Sequence, residues 1–320
     1  MIRKLISMLL CAFALLLLMG AGTAPQQPVT VLAEEESAAD GGATETELQS
    51  AYLAGGQAIP AAAAENPIHL AESTESRLLV DGIPAPAEVE MTQKDGVTYV
   101  ALADMALCLD ETAAANWNSA SQVLTVTTSK LSLTAKVGQL YLEANGRYLY
   151  LPEGVQLVNG KVVVPLWALA EAFDAKLAWE SATDVVTVTR GSGAIQSGDA
   201  YYNQNDLFWL SRVIFAESGN QPLEGQMAVG IVVMNRVKSP IYPDTVEGVL
   251  AQKNQFSTYR SGLLADRTPN ASSVIAAKLV LDGGVVEEVK NALYFDSAVN
   301  SWASRNRTCV AVIGGHRFYA

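Results

Sequence analysis

The sequence predicts an α+β protein, with a small α+β domain made of two strand-helix-strand repeats followed by a domain with a buried helix at its centre. Three observations carry that expectation. A unit of about thirty residues starting at Gly96 recurs from Gly160 when two residues are inserted before Trp117. Its strand segments alternate, with Val123, Thr125 and Thr127 on one face and Leu124 and Val126 on the other. Farther on, Met227 to Met234 is apolar on every side of a helix, the pattern of a helix wrapped by others.

Taken in chain order, Arg3 and Lys4 precede an apolar run, Leu5 to Met19, which has the length of a signal-peptide core and is short for a membrane span. Residues 1–33 therefore read as an export signal. Cleavage after Val31-Leu32-Ala33 avoids leaving Pro25 next to a cut at Ala24; a retained anchor is the alternative. Cys11 lies early in the run, where a lipid-attachment cysteine would not. Residues 34–76 carry nine acids and no Lys or Arg among Ala, Gly, Ser and Thr, which predicts a disordered, self-repelling acidic linker. The net charge of −12 resides largely there, because from Gln196 onward acids and bases number eleven each. Such a tail argues against a nucleic-acid partner.

Processing leaves Cys108 and Cys309, too few and too far apart for a disulfide framework, and predicts two buried thiols. His69 and His316 are the only histidines. No Cys/His cluster has metal-ligand spacing, so neither a metal nor another cofactor is expected.

Residues 77–190 form the repeat domain. Val100 aligns with Val164, Leu102 with Leu166, Asp110 with Asp174, Trp117 with Trp179, and "VLTVT" with "VVTVT". Each copy runs from a β-branched strand into a short Ala/Leu helix, a turn, a Trp and an alternating strand. "ANGR" between the copies signals a hairpin turn. The strand, "VPLWALAEAF", the Trp and "VVTVT" resemble the copper amine oxidase N-terminal-like domain, which implies a stalk or wall-adhesion module with no copper expected. Trp117 and Trp179 read as core anchors, sugar stacking being the alternative. Cys108, aligned with Ala172, reads as a core thiol. Residues 191–204, opening with "GSGAIQSG", read as a second linker.

In "NQNDLFWLSRVIFAESGN" Asn205 is the candidate helix N-cap and Gly219 the stop. Leu207, Leu210 and Ile214 form one stripe flanked by Val213, and Glu217 falls within that apolar arc. Pro222 opens the next helix, with Gly230 permitting close approach. A carboxyl group deprived of water holds its proton to higher pH and can donate it to a leaving oxygen. Three readings of Glu217 follow: a catalytic acid, a buried Glu paired with an Arg such as Arg236, or a Glu at the frayed helix end reaching water.

"FAESGNQPLEGQMAVGIVVMNRVKSPIYPDTVEGVL", "QFSTY", "ALYF" and "IGGHRFY" then resemble, in order and spacing over about 207–319 of a domain at 205–320, the cell-wall hydrolase family of spore cortex-lytic enzymes (SleB/CwlJ-like). That resemblance implies a lysozyme-like, mostly helical fold acting on peptidoglycan glycan strands, with Glu217 as catalytic acid. Spore cortex during germination and vegetative wall both fit it as targets. Many members carry a second Glu where this chain has Gln221, which suits a single-acid scheme; Glu224 is the next carboxyl candidate, although first-turn acids often serve the helix dipole. By resemblance, Gln255, Phe256, Tyr294, His316, Phe318 and Tyr319 line the glycan groove, although for Phe256, Phe295 and Phe318 packing is the favoured role. Asn235 is expected to bond backbone. A single acid makes lytic transglycosylation the expected reaction; hydrolysis through a second group and an inactive glycan-binding protein are the alternatives.

Overall fold

The computed structural model describes residues 77–320, apart from Asn254. The predicted signal peptide and acidic linker lie outside the described residues. Those that are described belong to one compact unit, and the architecture is mixed α+β, β-rich first and helical afterwards.

The first domain opens with β1 (Leu78–Val80) and β2 (Ile83–Pro84). One repeat follows: β3 (Met91–Lys94), β4 (Val97–Ala101), α1 (Leu102–Leu109), β5 (Ala114–Asn118) and β6 (Val123–Thr127). A meander of β7 (Ser132–Lys136), β8 (Tyr141–Ala144) and β9 (Arg147–Tyr150) separates it from the second. That repeat is β10 (Gln156–Val158), β11 (Lys161–Pro165), α2 (Leu166–Ala172), β12 (Lys176–Glu180) and β13 (Val185–Thr189).

The repeat is also a symmetry. β4 and β11 pair antiparallel with Val100 opposite Val164, while Tyr99 faces Pro165 and Ala101 faces Val163. The residues that align in sequence thus pair across a local two-fold, in a sheet of order β10-β11-β4-β3. Flanking it are the sheets β5-β6-β7-β8-β9 and β12-β13-β1-β2. Leu102, Met105, Leu133, Leu142, Val164, Leu166, Leu169 and Phe173 meet in one core between these layers.

The two tryptophans break the symmetry. Trp117 packs against this core as predicted. Trp179 does not: it is 64% exposed on β12, an edge strand whose five residues are all exposed. Cys108 is half-buried against the core, but Cys309 is exposed, so the expectation of two buried thiols holds for neither in full. Cys309 opens an edge strand of the C-terminal sheet.

Gly191 to Ser197 is docked against the first domain. Ile195 is buried in its core, the Ser192 N–H donates to Asp174, and the Ile195 N–H donates to the Ala172 carbonyl. A short helix, α3 (Gly198–Tyr201), leads into the helical domain.

There α4 (Gln204–Ser218) is capped by Asn203, whose side chain accepts from the Asn205 and Asp206 N–H groups. The cap lies two residues before the expected Asn205, because either asparagine can cap and the bonded one decides. α5 (Leu223–Lys238) is the central helix, with Met227, Ala228, Val229, Val232 and Val233 wholly buried. Each large aliphatic side chain so buried contributes about 1.5–3 kcal/mol. A Cβ on Gly230 would sit 2.9 Å from Ile214 Cδ1 and 3.2 Å from Val280 Cγ2, so glycine lets these helices approach without displacing the Ile214 side chain.

α4, α6 (Val246–Ala251) and α8 (Ala271–Leu281) pack on α5, and α7 (Ser257–Arg260) packs on α6. β14 (Tyr294–Asp296), α9 (Trp302–Asn306), β15 (Cys309–Ile313) and β16 (His316–Tyr319) complete the chain, with the strands ordered β14-β16-β15.

Candidate active site

Glu217 sits in the last turn of α4, one turn beyond the buried Val213 and Ile214. Its side chain is half-buried. Burial pushes its carboxyl above the ordinary 4.5, and the exposed Arg267 offsets only part of that. Arg236, the sequence's candidate partner, is elsewhere: its Nε donates to the Leu293 carbonyl at 2.8 Å and its Nη1 to Gln255 Oε1 at 2.9 Å.

The turn after Glu217 is held from three sides. Asn270 Nδ2 donates to the Gly219 carbonyl at 3.1 Å, and Gln226 Nε2 donates to the Gln221 carbonyl at 2.9 Å. Gln226 is buried and itself accepts from Ser273 Oγ at 2.8 Å, tying α5 to α8. The third contact is Gln221 Oε1, which accepts from the Gly315 N–H at 2.7 Å while Nε2 donates to Asn220 at 2.9 Å. A carboxylate at 221 would keep the first bond and lose the donor for the second. Gln221 thus anchors the β15–β16 hairpin beside Glu217's turn, and the start of β16 at His316 follows directly.

Gly314 makes that anchoring possible. Its φ of +56° lies in the left-handed region, and a Cβ there would fall 2.2 Å from Gln221 Oε1. Gly314→Ala is therefore expected to displace the Gln221 carboxamide and cost about 1–3 kcal/mol. Urea unfolding of the full chain checks this; an unchanged midpoint would mean the hairpin is not clamped this way.

The motif residues gather into a second cluster. Arg236, buried and held below its usual basicity by that burial, lies 5.4 Å from the Tyr242 ring, 5.7 Å from Phe256 and 5.6 Å from Tyr294. Tyr242 donates to the Tyr294 hydroxyl at 3.1 Å, and Arg307 stands over Tyr294 and Trp302. Gln255, Phe256, Gln252, Ser257 and Arg260 line a cavity of about 260 Å³. His316 is nearly buried, its Nδ1 has no hydrogen-bond partner, and burial lowers its pKa against the opposing pull of Asp296. Asn235 bonds backbone, at the Lys290 and Ala292 carbonyls.

Three residues named for the groove, Phe256, Phe318 and Tyr319, are buried and pack instead. Phe318 is 0% and Tyr319 1% exposed, so neither ring offers a face to a sugar. They lie on β16, the central strand of its sheet, with Phe318 in the helical core and the Tyr319 hydroxyl against Asp296. Phe256 is also buried, stacked toward Phe295 at 6.5 Å. Gln255 is exposed and Tyr294 half-exposed. Glu224 accepts from Tyr150 Oη of the first domain at 2.7 Å, so it serves the junction between domains. Tyr242, Arg307 and the central place of Arg236 escaped the sequence reading, which had only the run "MNRV" to suggest a cation beside the buried helix.

Residues 220–319 match the family described as Cell Wall Hydrolase, and residues 79–188 the Copper amine oxidase N-terminal domain. Glu217 precedes the matched span by three residues. Among the described residues no three His, Cys, Asp or Glu side chains converge to hold a metal ion. The chain is 36% identical over 121 residues to the spore cortex-lytic enzyme of Bacillus cereus, covering 37% of this chain and 45% of that protein. For the Bacillus subtilis spore cortex-lytic enzyme the figures are 30% over 120 residues, 37% and 38%. The match thus spans less than half the length of these curated relatives. The catalytic domain of the germination-specific lytic transglycosylase SleB from Bacillus anthracis is 31% identical; it covers 39% of this chain and 100% of its own, with a TM-score of 0.34. The chain carries a SleB-like cell wall hydrolase domain at its C-terminal end and a copper amine oxidase N-terminal domain before it.

Proposed function

We propose that this protein is an exported, wall- or cortex-associated enzyme that cleaves the bond between N-acetylmuramic acid and N-acetylglucosamine in peptidoglycan, as a lytic transglycosylase of lysozyme-like fold. The observation that carries the reading is Glu217, a half-buried carboxyl whose pKa desolvation raises in favour of the protonated form, at the end of a helix and in front of a turn fixed by three hydrogen bonds. In that state it donates its proton to the glycosidic oxygen as the bond breaks. The resulting carboxylate takes the proton of the muramic C6 hydroxyl while that oxygen closes on C1, giving a 1,6-anhydro ring. No water enters, so no second carboxylate is required. Gln221 in place of an acid, and Glu224 engaged by Tyr150, fit this scheme. Gln255, Tyr294 and His316 are the groove residues retained in this reading.

Digests of purified peptidoglycan are expected to carry anhydromuramyl ends. Mass spectrometry checks this, and exclusively reducing ends would overturn transglycosylation in favour of hydrolysis. Digests of cortex beside vegetative wall identify the preferred target.

A further inference from the structure

The first domain holds a cavity that the catalytic reading does not use. It measures about 390 Å³, the scale of a small-ligand site. Trp167, Leu177 and Trp179 line it together with Gln93 and Thr98, and its lining includes no ionisable side chain. Trp167 is 39% and Trp179 64% exposed. The Trp179 indole is nonetheless fixed: its Nε1 donates to Asp184 Oδ1 at 3.2 Å, the same oxygen accepts from Gln93 Nε2 at 3.4 Å, and Arg77 pairs with Asp184 Oδ2 at 2.6 Å.

The repeat provides an internal comparison. The positions of the first copy that correspond to Trp167 and Leu177 are Ala103 and Ala115, by the same alignment that pairs Leu102 with Leu166 and Trp117 with Trp179. Ala103 and Ala115 serve the same α1 and β5 framework, so the fold does not demand large side chains there. Trp117 packs on the core where Trp179 stands out from it. Large apolar side chains have been placed at the mouth of one repeat only, and held there by hydrogen bonds, although an exposed indole gains nothing from burial.

We infer that this groove binds a pyranose ring of an uncharged stretch of glycan strand, with Trp167 and Trp179 against the apolar sugar face and Gln93 and Thr98 bonding its hydroxyl or acetamido groups. An N-acetylglucosamine unit matches the uncharged lining; the carboxylate of a muramic lactyl group does not. The choice of glycan rests on the proposed wall substrate, while the site is separate from Glu217.

The test uses the full chain carrying Glu217→Gln, so that ligand is not turned over, titrated with N-acetylglucosamine tetramer by tryptophan fluorescence and sedimented with insoluble peptidoglycan. Trp179→Ala and, separately, Trp167→Ala are expected to weaken tetramer binding about tenfold each. In the chain with Glu217 intact they should leave cleavage of soluble wall fragments unchanged. Unaltered tetramer affinity in both variants overturns the inference, whatever the catalytic result. So does a shift from dimer to monomer in analytical ultracentrifugation without loss of sugar binding, which would make a second copy the occupant. Loss of clearing by the parent with tetramer binding intact would instead sink only the proposed reaction.

Discussion

Glu217→Gln is expected to lower glycan cleavage by at least about a thousandfold while leaving the chain folded, since general acid catalysis contributes about 10²–10⁴-fold and here one group serves as both acid and base. A zymogram and a soluble-product assay measure it; retention of a tenth of the parent activity would remove Glu217 from the reaction. The variant also has a stability signature. Burial raises the Glu217 pKa above 4.5. Below 4.5 the group is neutral in both folded and unfolded chains and adds no penalty. As pH rises through the raised folded value, the native state must bury a charge, and stability contributed by the protonated form is lost. Glutamine never ionises. Its melting temperature should therefore match the parent near pH 4 and exceed it near pH 8, and a constant difference across that range would mean the carboxyl is not desolvated. For the same reason the parent's activity should fall as pH rises through that pKa.

Several of these features could be read along the chain because they repeat or lie within one helix. The alignment of Val100 with Val164 is a local comparison of letters, and the structure turns it into a strand pair. The apolar girdle of α5 and the place of Glu217 beside Val213 and Ile214 follow from helical periodicity alone. What could not be read depends on which faces are covered. β5 and β12 both end in a Trp followed by one polar residue, yet one indole is packed and the other stands in solvent, because only the tertiary arrangement decides which side of an edge strand is covered. Phe318 and Tyr319 have a similar explanation: alternation would put one of them outward, but β16 is covered on both faces. Arg236 was a reasonable partner for Glu217 by composition, and only the fold shows that its fork is occupied by Gln255 and the Leu293 carbonyl.

The junction of the two domains was least legible. "GSGAIQSG" has a linker's composition, but the partners that fix the domains are 74 to 135 residues apart and carry no local signal. Asp282, at the end of α8, has a side chain 1% exposed. It accepts from Arg147 of β9 through Nε at 3.0 Å and also through Nη2, and from Tyr202 Oη at 2.6 Å. Arg147, 8% exposed at its side chain, lies over the Tyr201 ring at 3.5 Å, and Lys278 donates to the Gly146 carbonyl at 3.2 Å.

Asp282→Ala is accordingly expected to cost about 3–5 kcal/mol, because it leaves the Arg147 guanidinium buried without its main counter-charge and the Tyr202 hydroxyl without an acceptor. Urea unfolding of the full chain should show a lower midpoint and, as the junction weakens, separate transitions for the two domains. Adding Arg147→Met should recover much of the loss, since an apolar pair avoids the stranded charge. A loss below about 1 kcal/mol in the single variant would show that the pair is solvated and the domains are joined by their apolar contacts alone. The outcome bears on function as well as stability. If the ion pair makes the junction rigid, a glycan strand held at Trp179 is presented to Glu217 at a fixed offset, and weakening the junction should reduce action on insoluble wall more than on soluble fragments.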